Sequence, residues 1–436
     1  LVLVRTSFAD PAAAPENWLV TNGPAIDGAD VVVIGAGPAG SAAAAWAARD
    51  GLDVLLVDAE HFPRDKPCGD GLTPRAVAEL HALGLGDWLG NRANNWGLRA
   101  AGFGQTLYLP WPGGSLPKFG SAAPRTELDA SIRQVALDSG ARPLDGARAV
   151  DVERNGNRVS AVQVMVGSTS QRLRCSRLVI ADGARSQLGR TLGRTWHRGT
   201  AYGVAARSYI KSHRSDDPWI SSHLELRDAD NELLSGYGGI FPLGAGEVNV
   251  GVGTLATDKR PAEVNLRSLM KHYVESQREH WQFEGELRAA ASALLPMGGA
   301  VSGVAGANWL LVGDAAGCVN PLNGEGIDYG LETGHLAAQL LSSAPANTDL
   351  ARIWSSTLRD SYGTAFSIAR RLAGLLTVPG FLPTFGPVGM RSRSLMTIAL
   401  RVMGNLVTEE DSDALARVWR LAGRASIRLD ERPPFS

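Results

Sequence analysis

The feature that most constrains the fold of this chain is the glycine-rich run Gly35–Gly40 (GAGPAG), which lies between two apolar segments. Residues 30–34 (DVVVI) have the composition of a buried parallel strand, and the alanine-rich segment after Gly40 predicts a helix that ends near Gly51. A second strand over residues 53–57 ends at Asp58. This order predicts a β-α-β dinucleotide-binding unit.

Each glycine has its own task in such a unit. Gly35 permits the tight turn, Gly37 lets the backbone approach a pyrophosphate, and Gly40 lets helix and strand pack closely. The start of the helix offers free N–H groups and a positive dipole end to phosphates. The Asp58 carboxylate can accept hydrogen bonds from both ribose hydroxyls. The predicted nucleotide contacts are Gly35, Gly37, Pro38, Ala39, Gly40 and Asp58.

Length and composition narrow the remaining possibilities. A chain of 436 residues is long enough for two or three lobes, and its formal net charge of -1 gives no basic field for nucleic acid. Cys68, Cys175 and Cys318 lack the spacing of a metal site or a disulfide framework, so no metal is predicted. No apolar stretch predicts a spanning helix or a signal peptide, and residues 1–29 are interpreted as a flexible lead-in.

The pattern of strands and helices predicts a discontinuous nucleotide domain with an inserted sheet. Segments 96–119 and 201–295 alternate as antiparallel strands and form a second, substrate-binding lobe. Residues 346–436 are predicted to be mainly helical, with breaks around 379–389. The nucleotide domain then comprises residues 30–95, 120–200 and 296–345.

A second motif, residues 312–330 (VGDAAGCVNPLNGEGIDYG), suits the flavin end of a cofactor. Asp314 ends a predicted strand, where its carboxylate can bond a sugar or ribityl hydroxyl. Gly324, Gly326 and Ile327 lead into a helix whose N–H groups can face the N1–C2=O edge of a flavin and stabilise its reduced anion. The alternative interpretation is an ordinary turn with a helix cap.

Three further places hold candidate cofactor contacts. Arg125 opens a predicted helix and can bridge to a phosphate or ribose, unless it is simply a surface arginine at a helix start. Asp182 follows a strand and can brace the pyrophosphate, although a plain turn explains it nearly as well. The loop Cys68, Gly69, Asp70 and Gly71 can lie against the flavin ring. Alternatively, Cys68 is a small buried apolar residue.

Four segments together resemble the geranylgeranyl reductase family, a branch of the p-hydroxybenzoate-hydroxylase-like flavoproteins. They are GAGPAG, PRDKPCGDGLTPRAV, ADGARS and GDAAGCVNPLNGEGIDYGLETG, and the similarity spans about residues 28–345. The resemblance implies an α/β fold: an FAD-binding Rossmann-like domain with an inserted antiparallel-sheet substrate lobe and a helical C-terminus. Within the family, SALLPMGGAVSGVAGANW and CVNPLNGEGIDYGLETG resemble members that saturate one double bond in the isoprenyl tail of menaquinone.

The resemblance also implies the chemistry. Reduction of an isolated C=C bond needs a hydride from flavin N5 and a proton, for which Tyr237 and Cys68 are the candidate donors. The family often has Y-x-W-x-F-P in the sheet lobe, whereas Gly239 stands here at the tryptophan position. The electron donor, NAD(P)H or a redox protein, stays open.

Other functions remain alternatives. An FAD-dependent aromatic-ring monooxygenase using NAD(P)H is the first of them. A halogenase is disfavoured because no W-x-W-x-I-P-type motif is present, and a non-enzymatic lipid carrier is the third.

Residues 361–408 predict a contact with lipid. They contain five arginines and no Asp, Glu or Lys, interspersed with apolar stretches. Such a segment suits anionic headgroups and the acyl boundary, so the chain is predicted to sit peripherally on the cytoplasmic face of the cell membrane. The alternative is that these helices cover the core and their arginines pair with acids elsewhere.

Overall fold

The computed structural model describes residues 27–436, so most of the predicted lead-in lies outside the described residues. The first strand begins at Gly28, slightly earlier than expected.

The strands run in chain order as follows: β1 Gly28–Ile34, β2 Val54–Val57, β3 Gly71–Leu72, β4 Ala93–Asn95, β5 Gly97–Gly102, β6 Gln105–Pro110, β7 Gly120–Ala122, β8 Arg142–Leu144, β9 Ala147–Asn155, β10 Arg158–Val166, β11 Thr169–Ile180, β12 Thr195–Trp196, β13 Tyr202–Ser212, β14 Trp219–His223, β15 Gly236–Pro242, β16 Glu247–Ala256, β17 Phe283–Leu295, β18 Val301–Ser302 and β19 Trp309–Leu311.

The helices are α1 Pro38–Arg49, α2 Pro74–Leu83, α3 Gly86–Gly90, α4 Arg125–Asp138, α5 Gln187–Thr191, α6 Leu266–Trp281, α7 Ile327–Ser343, α8 Leu350–Leu358, α9 Thr364–Leu376, α10 Phe381–Met390, α11 Arg393–Met403 and α12 Ala414–Ile427. A 3-10 turn spans Gly313–Ala316, and a π-helical turn, Arg359–Gly363, joins α8 to α9.

The nucleotide-binding sheet has the order β8-β2-β1-β11-β10-β9, with β19 also paired to β11. β1 runs parallel to β2 and to β11, whereas β10 and β9 form an antiparallel extension. Val31, Val32 and Val33 are almost wholly buried, because α1 and α7 cover this part of the sheet. The predicted α/β class is confirmed.

Helices α1 and α7 approach each other through small residues. A Cβ atom at Gly334 of α7 would lie 2.5 Å from the Ala39 carbonyl oxygen, and one at Gly330 would lie 3.5 Å from the Ala39 Cβ. The alanine-rich sequence of α1 therefore serves close helix packing as well as helix propensity. This packing brings the beginnings of both helices to the same edge of the sheet.

The second sheet is seven-stranded, with the order β17-β13-β16-β15-β14-β5-β6. One element in it was not predicted: α6 lies within the stretch that was expected to be mostly strands. Asn265 caps α6 by accepting from the N–H groups of Arg267 and Ser268, and Trp281 and Tyr273 anchor the helix in the core of the lobe. His223 contacts the Tyr273 hydroxyl through Nδ1 at 2.6 Å, as befits a core histidine.

The C-terminal region is helical, as predicted, but its break is shorter than expected. The interruption covers only residues 377–380, and α10 continues through Pro387. Within residues 27–436, no individual helix has the length and apolar composition needed to cross a bilayer. Only the segments Leu350–Leu376 and Phe381–Met390 reach that composition jointly, and they are bent by 110°.

Gly40 gives a test of the α1 packing. A Cβ atom there would lie 1.8 Å from the Gly35 carbonyl oxygen, so Gly40→Ala must displace backbone. We expect a loss of about 3 kcal/mol in the free energy of unfolding, measured by urea denaturation. The matched control is Gly374→Ala in α9, where an added Cβ meets nothing within 4 Å. It should be neutral or stabilise by up to about 1 kcal/mol. Equal stabilities for the two variants would contradict the packing argument.

Candidate functional site

The glycine-rich turn is shaped by close backbone contacts. Gly35 has a φ of +99°, and a Cβ atom there would lie 2.3 Å from the Ala181 carbonyl oxygen. At Gly37, by contrast, an added Cβ atom would meet only the far end of the Arg64 side chain within 4 Å, at 3.3 Å, among residues 27–436. Gly35 is therefore required by the fold, whereas Gly37 leaves room for a ligand beside the backbone.

Asp58 holds this turn in place. Its Oδ2 accepts a hydrogen bond from the Ala36 N–H at 2.7 Å, and its Oδ1 accepts from the Glu60 N–H at 2.9 Å. The Arg64 guanidinium lies 3.8 Å from the carboxylate. The predicted contact of Asp58 with ribose stays a prediction, but the residue does lie beside the glycine turn.

A cavity of about 410 Å³ lies among the nucleotide-binding sheet, the second sheet and helices α10 and α11. The predicted residues in its wall are Gly37, Pro38, Ala39, Cys68, Gly69, Arg125, Tyr237, Asp314, Gly324, Gly326 and Ile327. The remaining predicted residues are not among those that line the cavity: Gly35, Gly40, Asp58, Asp70, Gly71 and Asp182.

The second motif also reaches the cavity. Asp314 lies in the 3-10 turn after β19, and the Lys66 ammonium is 3.5 Å from its Oδ2. Gly324 has a φ of +78°, and a Cβ at Gly326 would lie 3.1 Å from the Asp314 Oδ1. The Gly326 N–H donates to no acceptor within residues 27–436. Asp314 and the start of α7 thus form one polar corner of an otherwise apolar cavity.

The loop from Cys68 to Gly71 is fixed to the second sheet by Asp70. Asp70, at a φ of 61°, accepts hydrogen bonds from the Tyr209 hydroxyl (2.7 Å) and the Asn249 amide (2.8 Å). Asn249 also donates to the Cys68 carbonyl at 2.8 Å. Burial raises the pKa of Asp70 to about 6. These contacts give Asp70 a positioning role, since they hold Cys68 and Gly69 against the cavity.

Cys68 and Arg125 are neighbours at this wall. Burial raises the pKa of the Cys68 thiol, and the positive charge of Arg125 only partly opposes this. Arg125 is buried and makes a bidentate pair with Asp129, at 2.6 and 2.8 Å. It is therefore not a surface arginine. The thiol of Cys68 stays protonated at neutral pH.

Tyr237 projects from β15 into the cavity beside the second motif. Its hydroxyl donates to the Asn323 carbonyl at 2.6 Å, and burial raises its pKa to about 12. The hydroxyl is thus neutral, and its proton is directed at the Asn323 carbonyl.

Asp182 lies in the turn between β11 and α5. Its carboxylate accepts from the Leu188 N–H at 3.0 Å, burial raises its pKa, and its Oδ1 has no partner within the part of the chain that the structure describes. A pyrophosphate contact for Asp182 stays a prediction.

Gly239 has a structural reason for its departure from the family pattern. A Cβ atom at this position would lie 2.9 Å from the Phe241 ring, so a tryptophan would require that ring to move. Cross-strand pairing places residues of the cavity wall in two rows, and most of them are small. One row consists of Ala291, Arg207, Gly251 and Gly239, and the other of Ala293, Ala205, Gly253 and Tyr237. Apart from Arg207 and Tyr237, the sheet face is flat at the cavity.

These features fit a long cofactor. The backbone at Gly37 is open, Asp314 and the start of α7 form a polar corner, and one cavity wall connects the two places. Residues 28–348 match the FAD binding domain family. The chain is 62% identical over 410 residues to the menaquinone reductase of Mycobacterium tuberculosis, an alignment that covers 94% of this chain and 99% of that protein. The chain belongs to the menaquinone reductase family of FAD-binding flavoproteins.

More distant similarities agree with the family. Digeranylgeranylglycerophospholipid reductase 1 of Methanopyrus kandleri is 28% identical over 361 residues, which cover 79% of this chain and 91% of that protein. A geranylgeranyl bacteriochlorophyll reductase-like structure from Thermoplasma acidophilum shares the fold, with a TM-score of 0.67 at 19% identity and coverage of 92% and 96%. FAD is the cofactor, and the chain is an FAD-dependent oxidoreductase.

Arg64, Lys66 and Glu325 are site residues that sequence reasoning missed. Arg64 lies 3.0 Å from Asp129 and beside Gly37, where it can reach a phosphate of FAD. The feature of the sequence that could have indicated Arg64 is the charged run PRDK in the loop after the first β-α-β unit.

Glu325 lies in the turn before α7. It accepts a hydrogen bond from the Thr73 hydroxyl, and its Oε2 is buried without a partner among the described residues. Burial, reinforced by Asp328, raises its pKa well above the ordinary value. Glu325 is therefore a protonated acid one residue beyond Gly324.

A further buried acid, Glu79, gives a pH-dependent prediction. Burial, followed by the charge of Glu332, raises its folded-state pKa from 4.5 to about 7. Because the folded state holds this proton and the unfolded state releases it, this group lowers stability as pH rises from about 4.5 to 7. Glu79→Gln should therefore gain about 2 kcal/mol over the wild type between pH 5 and pH 8 in urea unfolding. A constant difference across that range would contradict the buried-acid interpretation.

Proposed function

We propose that this protein hydrogenates one C=C bond in the isoprenyl side chain of menaquinone or a related prenyl lipid. The observation that carries the proposal is the cavity, which extends from the start of α7 to an apolar opening at α10, where Phe385 both lines the cavity and is exposed. Its far wall is formed by Leu376, Phe381, Leu382, Met390, Met396 and Met403. Such an apolar lining suits a long hydrocarbon tail, and the flexible methionine side chains can adapt to its irregular shape.

The flat sheet face supports the same proposal. Gly239, Gly251 and Gly253 remove side chains from the cavity floor, so a prenyl tail can lie across the strands. The positions of Phe241 and the Cys68–Gly71 loop limit how far the tail advances beside the flavin. A flat phenol, the substrate type of the monooxygenase alternative, would leave most of this apolar lining without contact.

When bound, reduced FAD supplies the hydride. The residues of the chain then have to exclude water and deliver one proton to the other carbon. We assign the delivery to the Tyr237 hydroxyl, with the protonated Glu325 carboxyl beyond Asn323 and Gly324 as its reserve. The Cys68 thiol, also protonated, is the second candidate donor.

The reaction is tested with dithionite-reduced enzyme and menaquinone, so that the natural electron donor need not be known. Dithionite also converts the quinone headgroup to the quinol, so the headgroup is re-oxidised in air before mass spectrometry. The re-oxidised quinone should then be two mass units heavier, because one double bond of the tail is lost. Tyr237→Phe and Glu325→Gln should each slow its formation by 10²-fold or more, in the usual range for a lost general acid. The matched control is Tyr108→Phe, whose side chain is exposed on β6. An unchanged quinone mass with wild-type enzyme would end the proposal.

We further propose that the opening docks on a membrane surface. The exposed apolar side chains around it are Leu375, Val378, Phe385, Val388, Leu395 and Ile398, called here the apolar rim. A prenyl quinone is held in the bilayer, so a rim of this kind gives it a direct route into the cavity.

The charge part of the predicted lipid contact needs correction. Three of the five arginines are bonded to other groups of the protein. Arg370 donates to the Gly298 carbonyl, Arg371 pairs with Asp430, and Arg401 pairs with Asp411 and Asp413. Only Arg391 and Arg393, between α10 and α11, are exposed without such a pair in residues 27–436. The proposed contact therefore rests on the apolar rim with two flanking charges, and the cytoplasmic face of the membrane remains part of the proposal.

Co-sedimentation with phosphatidylglycerol vesicles tests this contact. Arg391→Gln with Arg393→Gln should weaken binding about thirtyfold, since each basic residue at such a surface contributes on the order of 1 kcal/mol. Phe385→Ser with Val388→Ser should weaken it independently of salt. The control pair, Val166→Ser with Arg190→Gln, changes exposed residues of the nucleotide domain and should bind as the wild type does. Wild-type protein that stays in the supernatant would make the rim an ordinary surface.

A further inference from the structure

A second cavity, of about 560 Å³, lies on the other side of residues 297–300 from the first. Neighbouring segments contribute to both: Ala201 and Thr257 line the second cavity, while Gly203 and Leu255 line the first. The basic side chains of the second cavity are Lys259, Arg260, Arg370, Arg371 and Arg432. Only two acids, Asp430 and Glu431, share its wall.

Arg370 is the buried cation of this cavity. Its Nε donates to the Gly298 carbonyl at 2.6 Å and its Nη1 to the Arg432 carbonyl at 3.2 Å. Its Nη2 has no acceptor, and no carboxylate lies within 4 Å of the guanidinium, among residues 27–436. The side chain is only 7% exposed, and burial lowers its pKa to about 10. A buried charge without a counter-charge is costly, so this guanidinium favours an anion.

The neighbouring groups do not supply that anion. Asp430 pairs through Oδ1 with Arg371 at 2.7 Å, and its charge only partly offsets the effect of burial on the pKa of Arg370. His197 contacts Arg432 through Nδ1 (2.9 Å) and the Ser302 hydroxyl through Nε2 (2.8 Å), and burial together with Arg432 and Arg370 lowers its pKa. Lys259 and Arg260 form no ion pair within the described part of the chain. The five basic side chains of the cavity therefore outnumber its two acids, and a net positive charge remains.

We propose that this second cavity binds a phosphate group. A guanidinium with one free edge, set beside four further basic side chains, suits an anion with more than one negative charge, as a phosphate group is. Two sources carry this chemistry: the headgroup of an anionic phospholipid and the phosphates of a soluble nucleotide. Exposed apolar side chains favour the lipid headgroup as the source. Leu429 lines the cavity and is 73% exposed, and Leu372 and Leu375 of α9 are also exposed.

Isothermal titration calorimetry of the FAD-loaded protein with inorganic pyrophosphate tests the site. We expect saturable binding that falls at least tenfold in Lys259→Gln with Arg260→Gln, both exposed residues whose change leaves the core intact. Arg370→Gln should abolish binding, and circular dichroism reports whether it folds. The control, Arg267→Gln with Lys271→Gln, removes two exposed charges from α6 and should bind as the wild type.

Two further arms separate the sources. NADPH that displaces pyrophosphate, with no effect of phosphatidylglycerol vesicles, assigns the site to a nucleotide. Vesicles of phosphatidylglycerol that displace it, while phosphatidylcholine vesicles do not, assign it to a lipid headgroup. Absence of pyrophosphate binding by the wild type, or equal binding by the Lys259–Arg260 double variant, overturns the proposal. Quinone reduction is not measured in any arm, so failure here leaves the proposed reaction untouched.

Discussion

The site depends on one contact, the approach of α1 to the strand ends at the glycine turn. With no side chain at Gly35 or Gly40, the first turn of α1 lies directly on backbone, and the beginning of the helix points along the sheet edge. Helix α7 then packs on α1 through Gly330 and Gly334. Two helix beginnings, each with positive partial charge, consequently face one cavity.

The second sheet is joined to this arrangement by buried polar contacts. Asp70 accepts from Tyr209 and Asn249, which belong to β13 and β16. Each strand therefore meets the cofactor loop through its own hydrogen bond, and the small residues further along the same strands face the cavity. Since a buried carboxylate needs its partners, the loop and the sheet cannot shift separately without a cost. These hydrogen bonds set the distance between the Cys68–Gly71 loop and strands β13 and β16.

The sequence predicted the parts of the site that depend on local order. The turn at Gly35–Gly40 and the start of α7 follow from strand, turn and helix signals within a few tens of residues. Pairings across the chain were not accessible in this way. Arg125 is neutralised by Asp129 one helical turn later, and Arg371 by Asp430 across the C-terminal region. Helix α6 was missed although its buried residues Leu269, Met270, Tyr273 and Val274 recur at helical spacing, because the segments on both sides of it have the alternating pattern of strands.

Desolvation connects the apolar cavity with its acid groups. The same exclusion of water that suits a prenyl tail raises the pKa of Cys68, of Tyr237 and of Glu325, and none of these groups is paired with a cation strong enough to reverse the shift. Cys68 and Tyr237 therefore carry their protons at neutral pH, and the pKa of Glu325 is shifted in the same direction. In the proposed reaction, the cavity that accepts the hydrocarbon chain would also hold the proton that its reduction consumes, in neutral groups. Substrate fit and proton supply follow from one physical property of the cavity.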